Sequence, residues 1–145
     1  LSIEHLDYHE NIKNYRAEKL KLVKGLSRDA FAILNADHNA SKHFAECTKS
    51  QVVWYGIKRK KADVTAEIIN MNADTTQFLL NSPWGKNIIN LNLVGKHNVY
   101  NALAAATNGL ALGFKIDAIK TGIESLSGVP GRLEKIEEGV DDRVA

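Results

Sequence analysis

Several features that would restrict the class of protein are scarce or missing. The 145 residues contain one cysteine, which excludes an internal disulfide framework and a zinc site made of cysteines alone. No apolar run approaches the ~20 residues of a membrane helix, and no Walker A loop, G-x-x-x-x-G-K-[ST], occurs. The 19 basic and 17 acidic residues give a net charge of +2, too small by itself to indicate nucleic-acid binding.

The sequence opens Leu-Ser-Ile-Glu-His, without an initial Met. This opening is charged at once, which is not the pattern of a secretory signal peptide. This opening predicts a fragment cut from a longer protein. The composition, 44% apolar and 25% charged, is that of a globular chain. The length corresponds to about one domain.

Short apolar runs alternate with helical patterns along the chain. The runs 31–35 (FAILN) and 51–56 (QVVWYG) predict buried strands, and the apolar spacing predicts helices over 11–24, 37–47, 99–110 and 116–126. Asn11 and Asp117 are the predicted caps of the first and the last helix, and a further strand is predicted after Gly131. The apolar stripe of the third helix consists of Val99, Leu103, Ala106 and Leu110. Alternating residues over 63–71, 75–80 and 89–93 predict an antiparallel meander. We therefore expect an α/β fold, a parallel sheet flanked by helices with a separate antiparallel β-meander added. Because two strong strands are few for a parallel sheet, part of the sheet is expected in missing sequence.

The first candidate for chemistry is the loop Glu4-His5-Leu6-Asp7-Tyr8-His9. Carboxylate and imidazole side chains together suit Mg²⁺, Mn²⁺ or Zn²⁺. Their spacing matches no closed zinc motif. The alternative is a polar loop with solvent-exposed side chains.

Lys19 is the second candidate, because the helical spacing places it on the apolar face with Tyr15 and Leu22. A lysine in such a position commonly extends its ammonium group to water. The alternative is a desolvated amine that acts as a nucleophile, or that reacts with carbon dioxide to give an anionic, metal-binding carbamate.

The third candidate is the segment 95–101 (GKHNVYN), in which a glycine turn precedes a helix. A helix N-terminus favours an anion or a nucleotide. Asn98 and Asn101 lie three residues apart and so share a face, where two amides can read a base. Helix capping by Asn98 and a locally satisfied Asn101 are the alternative.

The fourth candidate is Arg132, which follows Gly131 after a proline turn and is well placed to bind phosphate bidentately. The alternative is a surface arginine at the start of a strand. The basic run 58–61 (KRKK) has no interleaved aromatic residues, which favours a solvated loop over a nucleic-acid surface.

Three blocks of the chain, in order, resemble the central domain of the Mur ligases. They are EHLDYHENIKNYRAEKLKL, LVGKHNVYNALAAATNGLALG and SGVPGRLEKIEEG. Their residues are most similar to those of the branch that adds the third residue of the peptidoglycan stem peptide. The resemblance implies a ligase that uses ATP to phosphorylate a carboxylate, after which an amine displaces phosphate. A folylpolyglutamate synthetase-like ligase and a non-enzymatic binding module are the alternatives.

The first block implies a metal site. His5 matches a magnesium-ligating histidine of the family, and Lys19 matches a carbamylated lysine that helps to hold a second magnesium. Asp7 and His9 also fall on the motif. Glu4 stands where the family usually has Asp, a change that keeps the charge.

The other two blocks imply a nucleotide site. Asn98 and Asn101 match nucleotide-contacting asparagines, and His97 lies within the same motif. Arg132 matches an arginine near the ATP phosphates. ATP and Mg²⁺ are the cofactors that the resemblance implies.

The resemblance also implies a domain organisation and a cellular role. Residues 1–139 are expected to be the later part of the ATP-binding central domain, and residues 140–145 to begin a linker to a missing C-terminal domain. The substrates would be a UDP-linked muramoyl dipeptide and lysine or diaminopimelate, which the sequence does not distinguish. Neither nucleic acid nor a membrane is expected as a partner. A cytoplasmic location and roles in cell-wall biogenesis, cell shape and cell division follow, whereas the fragment alone is expected to be inactive.

Overall fold

The computed structural model describes residues 12–59 and 61–126. The predicted cap at Asn11 and the predicted strand that follows Gly131 lie outside these ranges. In chain order, the helices and strands of the described residues are α1 (Ile12–Lys24), β1 (Phe31–Asn35), α2 (Ser41–Cys47), β2 (Gln51–Gly56), β3 (Val64–Met71), β4 (Thr76–Ser82), β5 (Gly85–Leu91), α3 (Lys96–Ala111) and α4 (Ile116–Glu124).

The strands form one mixed sheet in the order β1-β2-β3-β4-β5. β1 and β2 are parallel, in a register that runs from Phe31↔Gln51 to Asn35↔Tyr55. β3, β4 and β5 pair antiparallel, with a bulge in β3 between residues 68 and 70. The predicted fold class, a parallel sheet with flanking helices and an added meander, is confirmed.

The prediction that the meander forms a separate patch is wrong. β3 pairs in parallel with β2 at two positions, Tyr55↔Val64 and Gly56↔Thr65, so the meander continues the same sheet. Alternation of apolar residues defines the faces of a strand but does not identify its neighbour across a loop, which is why the sequence did not reveal this joint.

The main core lies between one face of the meander and the helices α3 and α4. Alternating strand residues supply one side of it and the helical stripe that begins at Val99 supplies the other. All four residues predicted on that stripe are buried. The most deeply buried members of the core are Val64, Phe78, Leu80, Ile89, Leu91, Val99 and Leu103.

α4 is held against β5 by polar side chains as well as by the core. Glu124 accepts hydrogen bonds from the backbone N–H of Asn90 at 2.7 Å and from its Nδ2 at 3.0 Å. The predicted cap by Asp117 is wrong, because the helix begins after Lys115 without a side-chain cap. Asp117 lies in the first turn and instead accepts a hydrogen bond from Asn87 Nδ2 at 2.9 Å.

α2 begins four residues later than predicted, at Ser41 rather than Asp37. Asn35 Oδ1 accepts the backbone N–H of Asp37 at 2.9 Å, and His38 Nδ1 accepts that of Ala40 at 3.2 Å. Side chains thus bind backbone donors in a turn and compete with the helix. None of the helices within the described ranges has the length and apolar character needed to cross a membrane.

Candidate functional site

The carboxyl ends of β1 and β2 lie side by side, and α3 packs against both strands. In open α/β sheets, ligands bind in the crevice outside the carboxyl ends of the strands. Asn35 ends β1 and Gly56 ends β2, and the loops that follow carry Asp37 and the basic run 58–61. We take this edge, together with the start of α3, as the candidate site.

The Asp37 carboxylate joins the two loops and α3 at this edge. Its Oδ2 accepts hydrogen bonds from the backbone N–H of Ile57 at 2.7 Å and of Lys58 at 2.9 Å, and from Tyr100 Oη at 2.9 Å. Its Oδ1 accepts the backbone N–H of Arg59 at 2.9 Å. One side chain therefore fixes the loop after β2 and contacts α3 at the same time.

Each partner of the Asp37–Tyr100 hydrogen bond is held in one protonation state. Burial raises the pKa of Asp37, but the hydrogen bonds that the carboxylate accepts outweigh this effect and hold the pKa below its ordinary value. Burial and then the bond to Asp37 raise the pKa of Tyr100 to about 12. Asp37 therefore remains an acceptor and Tyr100 a donor throughout the neutral pH range.

α3 begins after Gly95, whose φ of +100° is strained for residues with a side chain. The His97 ring packs so closely against this glycine that an added Cβ would lie 2.8 Å from His97 Cε1. Asn98 Nδ2 donates a hydrogen bond to the backbone oxygen of Val94 at 2.8 Å. The turn and the first residues of the helix thus support one another.

The structure brings the predicted nucleotide residues His97, Asn98 and Asn101 together on the first two turns of α3. Asn98 is half-buried, and one N–H of its amide is engaged by the turn, whereas its Oδ1 accepts no hydrogen bond from the described residues and can bind a ligand. Asn101 is exposed, and its side chain makes no hydrogen bond to any described residue. The amide of Asn101 therefore retains both a donor and an acceptor for a ligand.

A cleft of about 430 Å³ opens between the loop after β1 and the end of β2. Lys42, Arg59 and Lys61 are exposed and form no ion pair with any residue in 12–59 or 61–126, which makes the cleft electropositive. The predicted solvation of the basic run is confirmed for its described residues. The polar and aromatic lining consists of His38, Asn39, Lys42, Trp54, Arg59 and Lys61.

His38 lies in the wall of this cleft. Burial lowers the pKa of His38, and the nearby positive charge of Arg16 lowers it further. Its Nδ1 accepts the backbone N–H of Ala40, so the proton of the neutral ring is on Nε2. The imidazole therefore offers one hydrogen-bond donor without adding a charge.

Of the two interpretations of Lys19, the desolvated amine is not what the structure shows. Lys19 is exposed, and its ammonium group lies over the Tyr15 ring, 5.5 Å from the ring centroid. Leu22, predicted on the same face, is 69% exposed, whereas Tyr15 and Val23 of that face are half-buried, as is Leu20. Spacings of three and four residues fit a broad arc of the helix, and packing against α2 favours the side of that arc with Leu20 and Val23. Desolvation of the Lys19 amine therefore has no support in this structure.

The remaining predicted site residues, His5, Asp7, His9 and Arg132, lie outside the described residues. Within the described part of the chain, no group of three or more His, Cys, Asp or Glu side chains is arranged to hold a metal ion. The magnesium site therefore stays a prediction.

Sequence reasoning missed Asp37 and Tyr100. A local signal for Asp37 exists, because Asn35 ends a buried strand, Asp37 follows two residues later, and Asn and Asp favour turns at such positions. No local signal marks Tyr100, since its partner Asp37 is 63 residues away in the chain.

A mixed sheet with flanking helices and a polar cleft at the carboxyl ends of its parallel strands defines an α/β domain, and such a cleft is where ligands bind in open α/β sheets. The model of the Mur ligase middle domain matches residues 1–109. The chain belongs to this family.

Two curated relatives are similar over almost the whole chain. The UDP-N-acetylmuramoyl-L-alanyl-D-glutamate–2,6-diaminopimelate ligase of Bacillus velezensis is 41% identical over 142 residues, which cover 94% of this chain. The ligase of the same name from Geobacillus kaustophilus is 40% identical over 145 residues, which cover 96% of it. The chain spans 29% of the length of each relative.

A solved structure shares the fold. MurF from Acinetobacter baumannii is 28% identical and superposes with a TM-score of 0.82. The match covers 94% of this chain and 30% of that one.

Proposed function

We propose that the full-length protein containing this chain is an ATP-dependent amide ligase of peptidoglycan precursor synthesis. The observation that carries this proposal is the match to diaminopimelate ligases, one of them 41% identical over 94% of the chain. The sequence left lysine and diaminopimelate open as the added amino acid, and the names of these relatives favour diaminopimelate. The acceptor substrate is then UDP-N-acetylmuramoyl-L-alanyl-D-glutamate.

The part of the reaction assigned to this chain is nucleotide binding at the start of α3. The reaction transfers the terminal phosphoryl group of ATP to the substrate carboxylate, and the amine then displaces phosphate. The exposed amide of Asn101 and the free Oδ1 of Asn98 fit a ligand with both donors and acceptors, and His97 lies beside them. Arg132 is assigned to the phosphates on the family pattern alone.

Magnesium binding is assigned to His5 and Lys19, with Asp7 and His9 as further candidates. This assignment rests on the family pattern. Since Lys19 is exposed, a carbamate there would be stabilised by the bound cation and by water rather than by a desolvated amine.

The domain boundaries and the cellular role belong to the same proposal. Residues 1–139 form the later part of the central domain, and residues 140–145 begin the linker to the next domain. The protein acts in the cytoplasm, and its product supports cell-wall biogenesis, cell shape and cell division.

The test is phosphate release by the full-length protein with ATP, Mg²⁺ and the UDP-linked dipeptide, with either diaminopimelate or lysine added. Turnover within the ordinary enzyme range of ~1–10³ s⁻¹ is expected with diaminopimelate. Turnover with lysine alone would refute the assigned amino acid. No turnover with either would refute the ligase and favour a binding module.

Asn101→Ala tests the part assigned to this chain. Because the amide is exposed and makes no described contact, the variant should bind ATP about tenfold more weakly, equivalent to about 1.4 kcal/mol, and keep its melting temperature. Asn108→Ala is the matched control, since Asn108 is also an exposed asparagine of α3, about two turns further along. Equal ATP affinity in the two variants would contradict the assignment.

A further inference from the structure

Asp37 makes one hydrogen bond beyond those that fix the loop after β2. Three of its four hydrogen bonds come from consecutive backbone N–H groups of residues 57–59, and the fourth comes from Tyr100 on α3. The loop alone would be held by the three backbone bonds. The fourth bond therefore connects the loop to α3.

The carboxylate has little freedom to move away from this arrangement. A Cβ added to Gly56 would lie 3.0 Å from Asp37 Oδ2, so the carboxylate rests directly on the backbone at the end of β2. The loop holds Asp37 on one side and Gly56 limits it on the other. Asp37 Oδ2, which accepts the Tyr100 hydrogen bond, therefore has a fixed position at the edge of the sheet.

Tyr100 connects that point to the part of α3 that carries the amides. It lies between Asn98 and Asn101 in the sequence, so all three residues belong to the first two turns of the helix. Successive residues in a helix are about 100° apart around the axis. Fixing the direction of the Tyr100 side chain therefore fixes the direction in which Asn101 leaves the helix.

The apolar contacts of α3 cannot set that direction as sharply. Val99 and Leu103 are fully buried, but apolar contacts are non-directional, whereas a hydrogen bond weakens steeply with angle. The 2.9 Å bond from Tyr100 to Asp37 is the one side-chain hydrogen bond that joins the first two turns of α3 to the strand edge among the described residues.

We propose that Asp37, acting through Tyr100, is a positioning residue that orients the amide face of α3 toward the nucleotide. The inference rests on the proposed function, because it assumes that Asn98 and Asn101 contact ATP. It predicts that removal of the Tyr100 hydroxyl weakens ATP binding although the hydroxyl itself touches no nucleotide.

Tyr100→Phe in the full-length enzyme tests this, with Tyr55→Phe as the matched control. Tyr55 is a half-buried tyrosine close to Tyr100, and its hydroxyl makes no hydrogen bond to the described residues. The Kd for ATP, from calorimetric titration, should rise about five- to tenfold in Tyr100→Phe and less than twofold in the control. The kcat at saturating ATP should stay within about twofold of the parent value, because saturation restores the bound state.

Three results would overturn the inference. An unchanged Kd in Tyr100→Phe, with a raised Kd in Asn101→Ala, would leave the proposed function intact and remove the positioning role. A lowered melting temperature and kcat with an unchanged Kd would show that the hydrogen bond serves stability only. Unchanged affinity in both variants would remove the nucleotide assignment itself, and with it this inference.

Discussion

Asp37→Asn is the substitution that isolates the charge of the carboxylate with almost no change of shape. Asp37 Oδ2 accepts three hydrogen bonds and Oδ1 accepts one, from Arg59. The amide therefore keeps the most bonds when its nitrogen replaces Oδ1. One donor then faces another donor at Arg59, and the other three bonds become neutral.

The magnitude follows from these contacts. Hydrogen bonds to charged groups contribute roughly 1.5–3 kcal/mol and neutral ones roughly 0.5–1.5 kcal/mol. Since Lys58 and Arg59 are exposed, water compensates part of the loss, and we expect the free energy of unfolding to fall by about 2–3 kcal/mol. This is a large part of the ~5–15 kcal/mol that stabilises a typical domain.

The assay is urea unfolding followed by tryptophan fluorescence, at pH 7 and at lower pH. The pKa of folded Asp37 lies below its unfolded value, so its contribution is fully present above the unfolded pKa and is lost as the pH falls through the folded pKa. The difference between parent and variant should therefore shrink below about pH 4.

Asp63→Asn provides the control, because exposed Asp63 accepts one backbone hydrogen bond, from Trp54 at 2.7 Å. It should cost less than about 1 kcal/mol. Equal costs for the two variants at pH 7, or an Asp37→Asn cost that does not depend on pH, would refute the reasoning.

Three further predictions concern the metal site, the turn before α3 and the isolated chain. Lys19→Ala in the full-length enzyme should abolish ligase activity with an unchanged melting temperature, and short carboxylic acids should restore part of the rate; retention of most of the activity would remove the carbamate. Gly95→Ala should destabilise the fold by more than Gly113→Ala, as measured by urea unfolding, because both glycines have positive φ but only Gly95 has the His97 ring 2.8 Å from the added Cβ; equal costs would show that the ring moves aside. The 145-residue chain alone should release no phosphate from ATP in a steady-state assay, because it contains no Walker A loop; turnover would show that another phosphate site exists within it.

The sequence predicted those parts of the fold that rest on local patterns. β1 and β2 were predicted from continuous apolar runs, β3 from alternating residues and α3 from apolar residues at helical spacing. Each of these elements lies where it was predicted. The start of α2 was wrong because Asn35 and His38 bind backbone donors that the helical pattern assigned to the helix. The predicted apolar face of α1 was wrong at Lys19 and Leu22, because tertiary packing, rather than spacing, decided which side of the helix is buried.

The candidate site divides in the same way. His97, Asn98 and Asn101 are found together because a glycine turn and a helical spacing are visible within seven residues. Asp37 and Tyr100 meet only after the chain has passed through the meander, so no window of sequence contains both. A contact between distant residues becomes visible only when the sheet order is known.

The short joint between β2 and β3 has a consequence for how the domain holds together. Two residue pairs connect the parallel strands to the meander, whereas α3 packs against β1 and β2 on one side of that joint and against β3 and β4 on the other. The helix therefore holds the two parts of the sheet together. In native-state hydrogen exchange, opening of α3 would separate the parallel pair and the hairpins into two independently exchanging units, so cooperativity across the described sheet depends on this helix.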